Sequence, residues 1–133
     1  MLNWIGKTGL SAQALSYSLD EKRLVFTDVD SFSFRPEWRF DRLGTSGSHY
    51  YRIHPQAAPE RYLHVQTEEL ACEEIHFGAN SSYWWLDPLE DQDAFLIRNF
   101  WRKDYYIYRV GDVVKAGSLS DPQNVTNAHW SIQ

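Results

Sequence analysis

The sequence predicts an all-β fold, a β-trefoil, from a threefold repeat and from strand-like alternation within each copy. Three tryptophans mark the repeat, Trp38, Trp85 and Trp130, which lie 47 and 45 residues apart. Each copy also has two aliphatic residues ten positions apart: Ile5 and Leu15, Ile53 and Leu63, and Ile97 and Ile107. Regular spacing in every copy is the signature of a repeat architecture.

Each copy contains four short runs in which apolar and polar residues alternate at period two, as in half-buried strands. The predicted strands are Leu2–Ile5, Ala14–Tyr17, Arg23–Thr27 and Glu37–Phe40; Tyr50–His54, Tyr62–Val65, Glu74–Phe77 and Tyr83–Leu86; and Phe95–Arg98, Tyr105–Tyr108, Val113–Ala116 and His129–Ile132. Twelve short strands must hide their edges, which a barrel of two strands per copy, capped by three hairpins, achieves. The last strand is expected to pair near Leu2–Ile5 and to close the ring.

The length of 133 residues fits one domain, residues 1–133, with copies at about 1–47, 48–91 and 92–133. The net charge of −5, without a basic run, argues against a nucleic-acid partner. No apolar stretch is long enough to span a membrane, and the N-terminus lacks the pattern of a secretory signal. With Cys72 as its single cysteine, the chain is expected to be cytoplasmic.

Catalytic and cofactor motifs are not found in the sequence. The five histidines lack the close spacing of a metal site, and no serine or cysteine has the local context of a nucleophile. Carboxylates such as Asp28, Asp30, Glu90, Asp91 and Asp93 lie in predicted turns. We therefore expect a protein that is not an enzyme and that requires neither a metal nor a cofactor.

Several segments resemble the ricin-B-type lectin repeat. Tyr51-Arg52-Ile53 followed by Arg61–Val65 is similar to the opening of such a repeat, and Ser82–Leu86 followed by Phe95–Asn99 is similar to a junction between two repeats. Asn127–Trp130 resembles the last Gln-x-Trp signature. The likeness is strongest to small intracellular single-domain lectins of fungi. It implies a β-trefoil that binds glycans or glycoproteins.

The resemblance also indicates which copy is equipped for a sugar. The family's sugar-binding aspartate follows the leucine of the second strand, and the matching residues here are Ser16, His64 and Tyr108. The family's aromatic platform on the third strand matches Thr27, Phe77 and Ala116. Only the second copy keeps an aromatic residue there, and only that copy has Asn80 close behind. The second copy is therefore predicted to carry the main site.

The predicted carbohydrate-binding residues are His64, Phe77, Asn80, Trp84 and Trp101. Because neighbours on a strand face opposite sides, Trp84 is expected to point outward if Trp85 points inward. The alternative is that Trp84 packs beneath a hairpin. Trp101 lies in the charged loop Arg98–Asp104, which is not typical of a core.

The leading hypothesis is a non-catalytic lectin that recognises glycans through shallow sites on its repeats. The alternative is a protein-binding β-trefoil, such as a protease inhibitor or a toxin-associated partner, which would use the Trp101 loop or Ser118–Asn127. Because one copy alone looks equipped, avidity would require a homo-oligomer.

Overall fold

A computed structural model describes residues 2–4, 13–28, 36–43, 50–66, 69–75, 79–89, 94–118 and 128–132. The strands are β1 (Leu2–Trp4), β2 (Gln13–Ser18), β3 (Arg23–Asp28), β4 (Trp38–Leu43), β5 (Tyr50–Pro55), β6 (Arg61–Gln66), β7 (Glu69–Glu74), β8 (Tyr83–Pro88), β9 (Phe95–Asn99), β10 (Tyr105–Val110), β11 (Val113–Ser118) and β12 (Trp130–Ile132). One short 3-10 helix, Asn80–Ser82, precedes β8. The prediction of an all-β chain is confirmed.

The strands divide into a barrel and three hairpins, as a β-trefoil requires. The barrel strands pair antiparallel in the order β1, β12, β9, β8, β5 and β4. The hairpins are β2–β3, β6–β7 and β10–β11, and their second strands contact one another at one end of the barrel. Strand β12 pairs with β1, with Trp130 opposite Trp4. This pairing confirms that the two ends of the chain meet.

Three fully or almost fully buried tryptophans anchor the copies: Trp38, Trp84 and Trp130. Each indole N–H donates to the carbonyl of the buried aliphatic residue on its copy's second strand. The bonds are Trp38 to Leu15 (2.7 Å), Trp84 to Leu63 (2.9 Å) and Trp130 to Ile107 (2.9 Å). Every indole is therefore both packed and satisfied, which stabilises the join between barrel and hairpin.

The repeat marker of the second copy is thus Trp84 and not Trp85, and the predicted outward orientation of Trp84 is wrong. Trp84 is fully buried, whereas Trp85 is half-buried with the Arg98 guanidinium 4.1 Å from its ring centre. Alternation places the two neighbours on opposite faces without saying which one faces inward. With Trp84 as the marker, the three tryptophans are 46 residues apart in both intervals.

Two further predictions change, one about the bounds of a strand and one about the register of another. Strand β7 ends at Glu74, so the predicted strand Glu74–Phe77 is wrong, and Phe77 lies outside the described residues. Trp4 pairs with Trp130 as Asn99 pairs with Trp84. Leu2 therefore takes the place that was predicted for Ile5.

The other predicted strands overlap the observed ones, and Cys72 is a buried core residue on β7. In the part of the chain that the structure describes, no helix is long and apolar enough to cross a membrane.

Candidate functional site

A cleft of about 550 Å³ opens beside the hairpin of the second copy. We call it the second-copy cleft. Its lining comes from the end of β6, the end of β7, the turn before β8 and the loop after β9. The residues are His64, Val65, Gln66, Glu73, Ile75, Ala79, Asn80, Ser81 and Trp101. The site therefore combines three segments of the second copy with one loop of the third.

One wall of the cleft carries a paired histidine and carboxylate. His64 directly follows the core residue Leu63 on β6, and its side chain is almost fully buried. Its Nε2 donates to Oε2 of Glu73 across the hairpin, at 3.1 Å. Glu73 keeps half of its side chain exposed. The buried partner thus fixes the direction of a carboxylate that still faces solvent.

A tight turn forms the second wall and presents Asn80 to solvent. Ser82 closes this turn twice, because its backbone N–H (2.9 Å) and its hydroxyl (2.7 Å) both donate to the carbonyl of Ala79. Ser82 itself is fully buried. The turn is therefore held in shape, and the exposed amide of Asn80 lies at its tip, available for hydrogen bonds.

Trp101 supplies the exposed aromatic surface of the cleft. Its side chain is 51% exposed, which is high for a tryptophan. The guanidinium of Arg102 lies 4.6 Å from its ring centre and 5.1 Å from that of Tyr105. An exposed indole next to oriented polar groups can stack on one apolar face of a ligand while the polar groups bind its hydroxyls.

Three of the five predicted site residues meet in this cleft: His64, Asn80 and Trp101. Trp84 does not line it, because its indole is buried and bonded to Leu63. Phe77 lies outside the described residues. Sequence reasoning missed Glu73, which the alternation Leu70-Ala71-Cys72-Glu73 could have placed on the outer face of β7.

The first copy has a smaller pocket, of about 340 Å³, at the corresponding corner of the fold. It is lined by Ser16, Tyr17, Pro36, Glu37, Trp38, Pro55, Gln56 and Ala57. We call it the first-copy pocket. Ser16 follows Leu15 as His64 follows Leu63. Because Pro55 pairs with Trp38 as Asn99 pairs with Trp84, Ala57 takes the place of Trp101.

Metal binding receives no support from the described residues, where no group of three or more His, Cys, Asp or Glu side chains converges.

Several solved structures are similar to this chain. SeviL bound to asialo-GM1 saccharide matches with a TM-score of 0.67 and 19% identity, covering 98% of this chain and 94% of that one. The GlcNAcα1-4Gal-releasing endo-β-galactosidase from Clostridium perfringens matches with a TM-score of 0.72 and 16% identity, over 98% of this chain and 31% of that one. A mosquitocidal holotoxin matches with a TM-score of 0.73 and 12% identity, over 100% of this chain and 17% of that one.

No protein-family model matches the sequence, and a search of curated proteins finds no match. At these identities the structural likeness establishes the fold. The chain is a β-trefoil, and the resemblance noted in its sequence is borne out at that level.

Proposed function

We propose that this protein is a non-catalytic lectin that binds neutral glycans in the second-copy cleft. The observation that carries the proposal is the meeting of Trp101, Asn80 and the His64–Glu73 pair in one open cleft. Sugar rings have an apolar face and a rim of hydroxyls. An exposed indole with an amide and a carboxylate around it complements both.

Two structural neighbours support the choice of ligand class. One of them, SeviL, is matched over 94% of its own length and is described as bound to a saccharide. Another is an endo-β-galactosidase that releases GlcNAcα1-4Gal. The chain spans about a third of that enzyme and a smaller share of the toxin. It therefore corresponds to one module of those proteins, and their whole activities are not carried over.

The charge of the cleft favours neutral over anionic glycans. Its described lining contains the carboxylate of Glu73 and no lysine or arginine. A sialylated or sulfated sugar would bring a second negative charge close to Glu73, and like charges at short range repel. The nearby Arg102 is not among the lining residues, and its guanidinium is engaged with two aromatic rings.

The same lining supports binding without catalysis. Glycosidases of the common type place two carboxyl groups on either side of the scissile bond. Glu73 is the one carboxylate among the described residues of the second-copy cleft.

We infer in addition that one site per chain gives weak monovalent binding, so self-association would supply avidity. A cytoplasmic location, which suits the free thiol of Cys72, belongs to the same proposal.

A glycan array with the wild-type chain and a Trp101→Ala variant tests this function. We expect the wild type to bind a subset of neutral glycans and the variant to lose that signal while keeping its circular dichroism spectrum. Absence of any glycan signal from a folded wild-type protein would contradict the proposal. If a pull-down then retains a protein that free sugars do not elute, the protein-binding alternative is favoured, with Trp101 as its contact.

A further inference from the structure

Asn99 is a fully buried polar residue at the end of β9, directly behind the second-copy cleft. Its side-chain amide makes three hydrogen bonds. Nδ2 donates to the carbonyl of Ser81 at 3.0 Å. Oδ1 accepts from the backbone N–H groups of Trp101, at 3.1 Å, and of Arg102, at 2.9 Å. One side chain therefore joins the turn that presents Asn80 to the loop that presents Trp101.

The barrel does not require an amide at this position. The residue paired with the buried tryptophan is Pro55 in the first copy, Asn99 in the second and Trp4 around the ring closure. Proline has no side-chain donor or acceptor, and yet the first copy forms the same strand pairing. The fold therefore does not need the amide of Asn99, which occurs only at the corner of the second copy among these three positions.

The hydrogen bonds of Asn99 hold the part of the loop that carries the exposed indole of Trp101. Other backbone bonds close the loop on either side, from Phe100 N–H to Tyr83 (2.8 Å) and from Tyr105 N–H to Arg102 (2.9 Å). Between them, the backbone N–H of Trp101 depends on Asn99. An exposed indole on an unrestrained loop would have to be ordered when a ligand binds, and that ordering lowers affinity.

We propose that Asn99 is a positioning residue for the glycan site, which holds Trp101 and the Asn80 turn in their binding arrangement before the ligand arrives. This inference rests on the proposed lectin function. Asn99 acts through Trp101 and Ser81 and does not line the cleft itself.

The test compares Asn99→Ala with a control substitution away from the cleft, Ile107→Val, in the buried core of the third copy. Affinity for the best neutral saccharide from the array is measured by calorimetry, at a temperature where each protein is folded. We expect Asn99→Ala to lose about tenfold in affinity, equivalent to about 1.4 kcal/mol, and Ile107→Val to keep it. Equal affinity of folded Asn99→Ala and wild type would overturn the proposal.

A second measurement keeps the inference testable if Asn99→Ala does not fold. Hydrogen exchange of the wild-type chain without saccharide reports directly on the backbone N–H groups of Trp101 and Arg102. We expect both to be protected. Asn99→Asp should keep that protection, because its carboxylate still accepts from both groups, but should bind more weakly, because it cannot donate to Ser81.

Exchange of both groups at unstructured rates in the unliganded wild type would contradict the positioning role. A wild type that binds no saccharide but shows this protection would instead contradict the lectin proposal, while the restraint of the Trp101 loop by Asn99 would stand. The two failures are therefore distinguishable.

Discussion

After the buried leucine of the second strand, the second copy carries His64 and the first copy carries Ser16. In the next copy's first loop, Trp101 faces the second-copy cleft, and Ala57 faces the first-copy pocket. The two corners are built on corresponding strands and contain the same indole-to-carbonyl bond. The buried tryptophan and its hydrogen bond are therefore common to both corners, while the residues at the mouth of each pocket differ.

The first-copy pocket also differs in chemistry. Tyr17 is buried, and its hydroxyl has no hydrogen-bond partner among the described residues. Pro36, Pro55 and Ala57 give the pocket rigid apolar walls without an exposed aromatic ring. A sugar would find little stacking surface there. We therefore expect glycan binding in the second copy and none of comparable strength in the first.

Removal of the exposed indole of Trp101 should produce the largest effect. Trp101→Ala is expected to weaken saccharide binding by about 10- to 100-fold, since an aromatic side chain that the ligand covers contributes about 2 kcal/mol or more to binding. Isothermal titration calorimetry measures the loss. The matched control is Gln56→Ala in the first-copy pocket, which should leave affinity unchanged. A larger loss in the control than in Trp101→Ala would reverse the comparison.

Loss of the buried indole hydrogen bond should lower the free energy of unfolding by a similar amount in the first and second copies. Trp38→Phe and Trp84→Phe each remove one buried indole N–H, its hydrogen bond to a strand carbonyl and part of a buried ring, which should lower the free energy of unfolding by about 1–3 kcal/mol. Urea denaturation measures it. Trp85→Phe is the control, and it should cost less, because Trp85 is half-buried and loses mainly its contact with Arg98. A greater loss for Trp85→Phe than for Trp84→Phe would restore Trp85 as the anchor.

Charge selectivity should give a smaller effect. Glu73→Gln is expected to improve binding of a sialylated glycan relative to its neutral counterpart by about fivefold, because a solvent-exposed charge pair is worth about 1 kcal/mol. Glu74→Gln is the control at the adjacent position, which is exposed and does not line the cleft. The ratio of the two dissociation constants, measured at low and high salt, decides the point. An unchanged ratio for Glu73→Gln would remove Glu73 from the selectivity argument.

The buried thiol of Cys72 should not react with an alkylating reagent under native conditions. Burial raises the pKa of Cys72 from its ordinary 9.0 to about 12, so the folded protein favours the neutral thiol. Iodoacetamide at neutral pH should label it after unfolding only. Because the pKa is higher in the folded state, the contribution of Cys72 to stability is full below pH 9 and is lost as the pH rises toward 12. Rapid labelling of the folded chain would contradict this burial.

The fold could be predicted from the sequence because the same spacing of aliphatic residues and tryptophans occurs in all three copies. The prediction of the buried tryptophan was wrong at Trp84 and Trp85. Period-two alternation places neighbours on opposite faces of a strand but does not say which of them faces the core. Sequence reasoning also failed on β7, where Ala71 and Cys72 give a weak apolar pattern between glutamates. His64, Asn80 and Trp101 were predicted as site residues from residue type and position, and they line one cleft in the structure. Glu73 was missed because the third strand of the second copy was predicted at Glu74–Phe77 and not at Glu69–Glu74. Asn99 was missed because side-chain hydrogen bonds are three-dimensional properties.

A titration of ¹⁵N-labelled protein with a neutral saccharide tests the central claim most directly. We expect amide shifts to move in the second-copy cleft, at His64, Glu73, Asn80 and Trp101, including the indole N–H of Trp101. The corresponding signals of the first-copy pocket, at Ser16 and Ala57, should stay in place, with saturation at one saccharide per chain. Shifts confined to the first-copy pocket, or equal in both, would contradict the account.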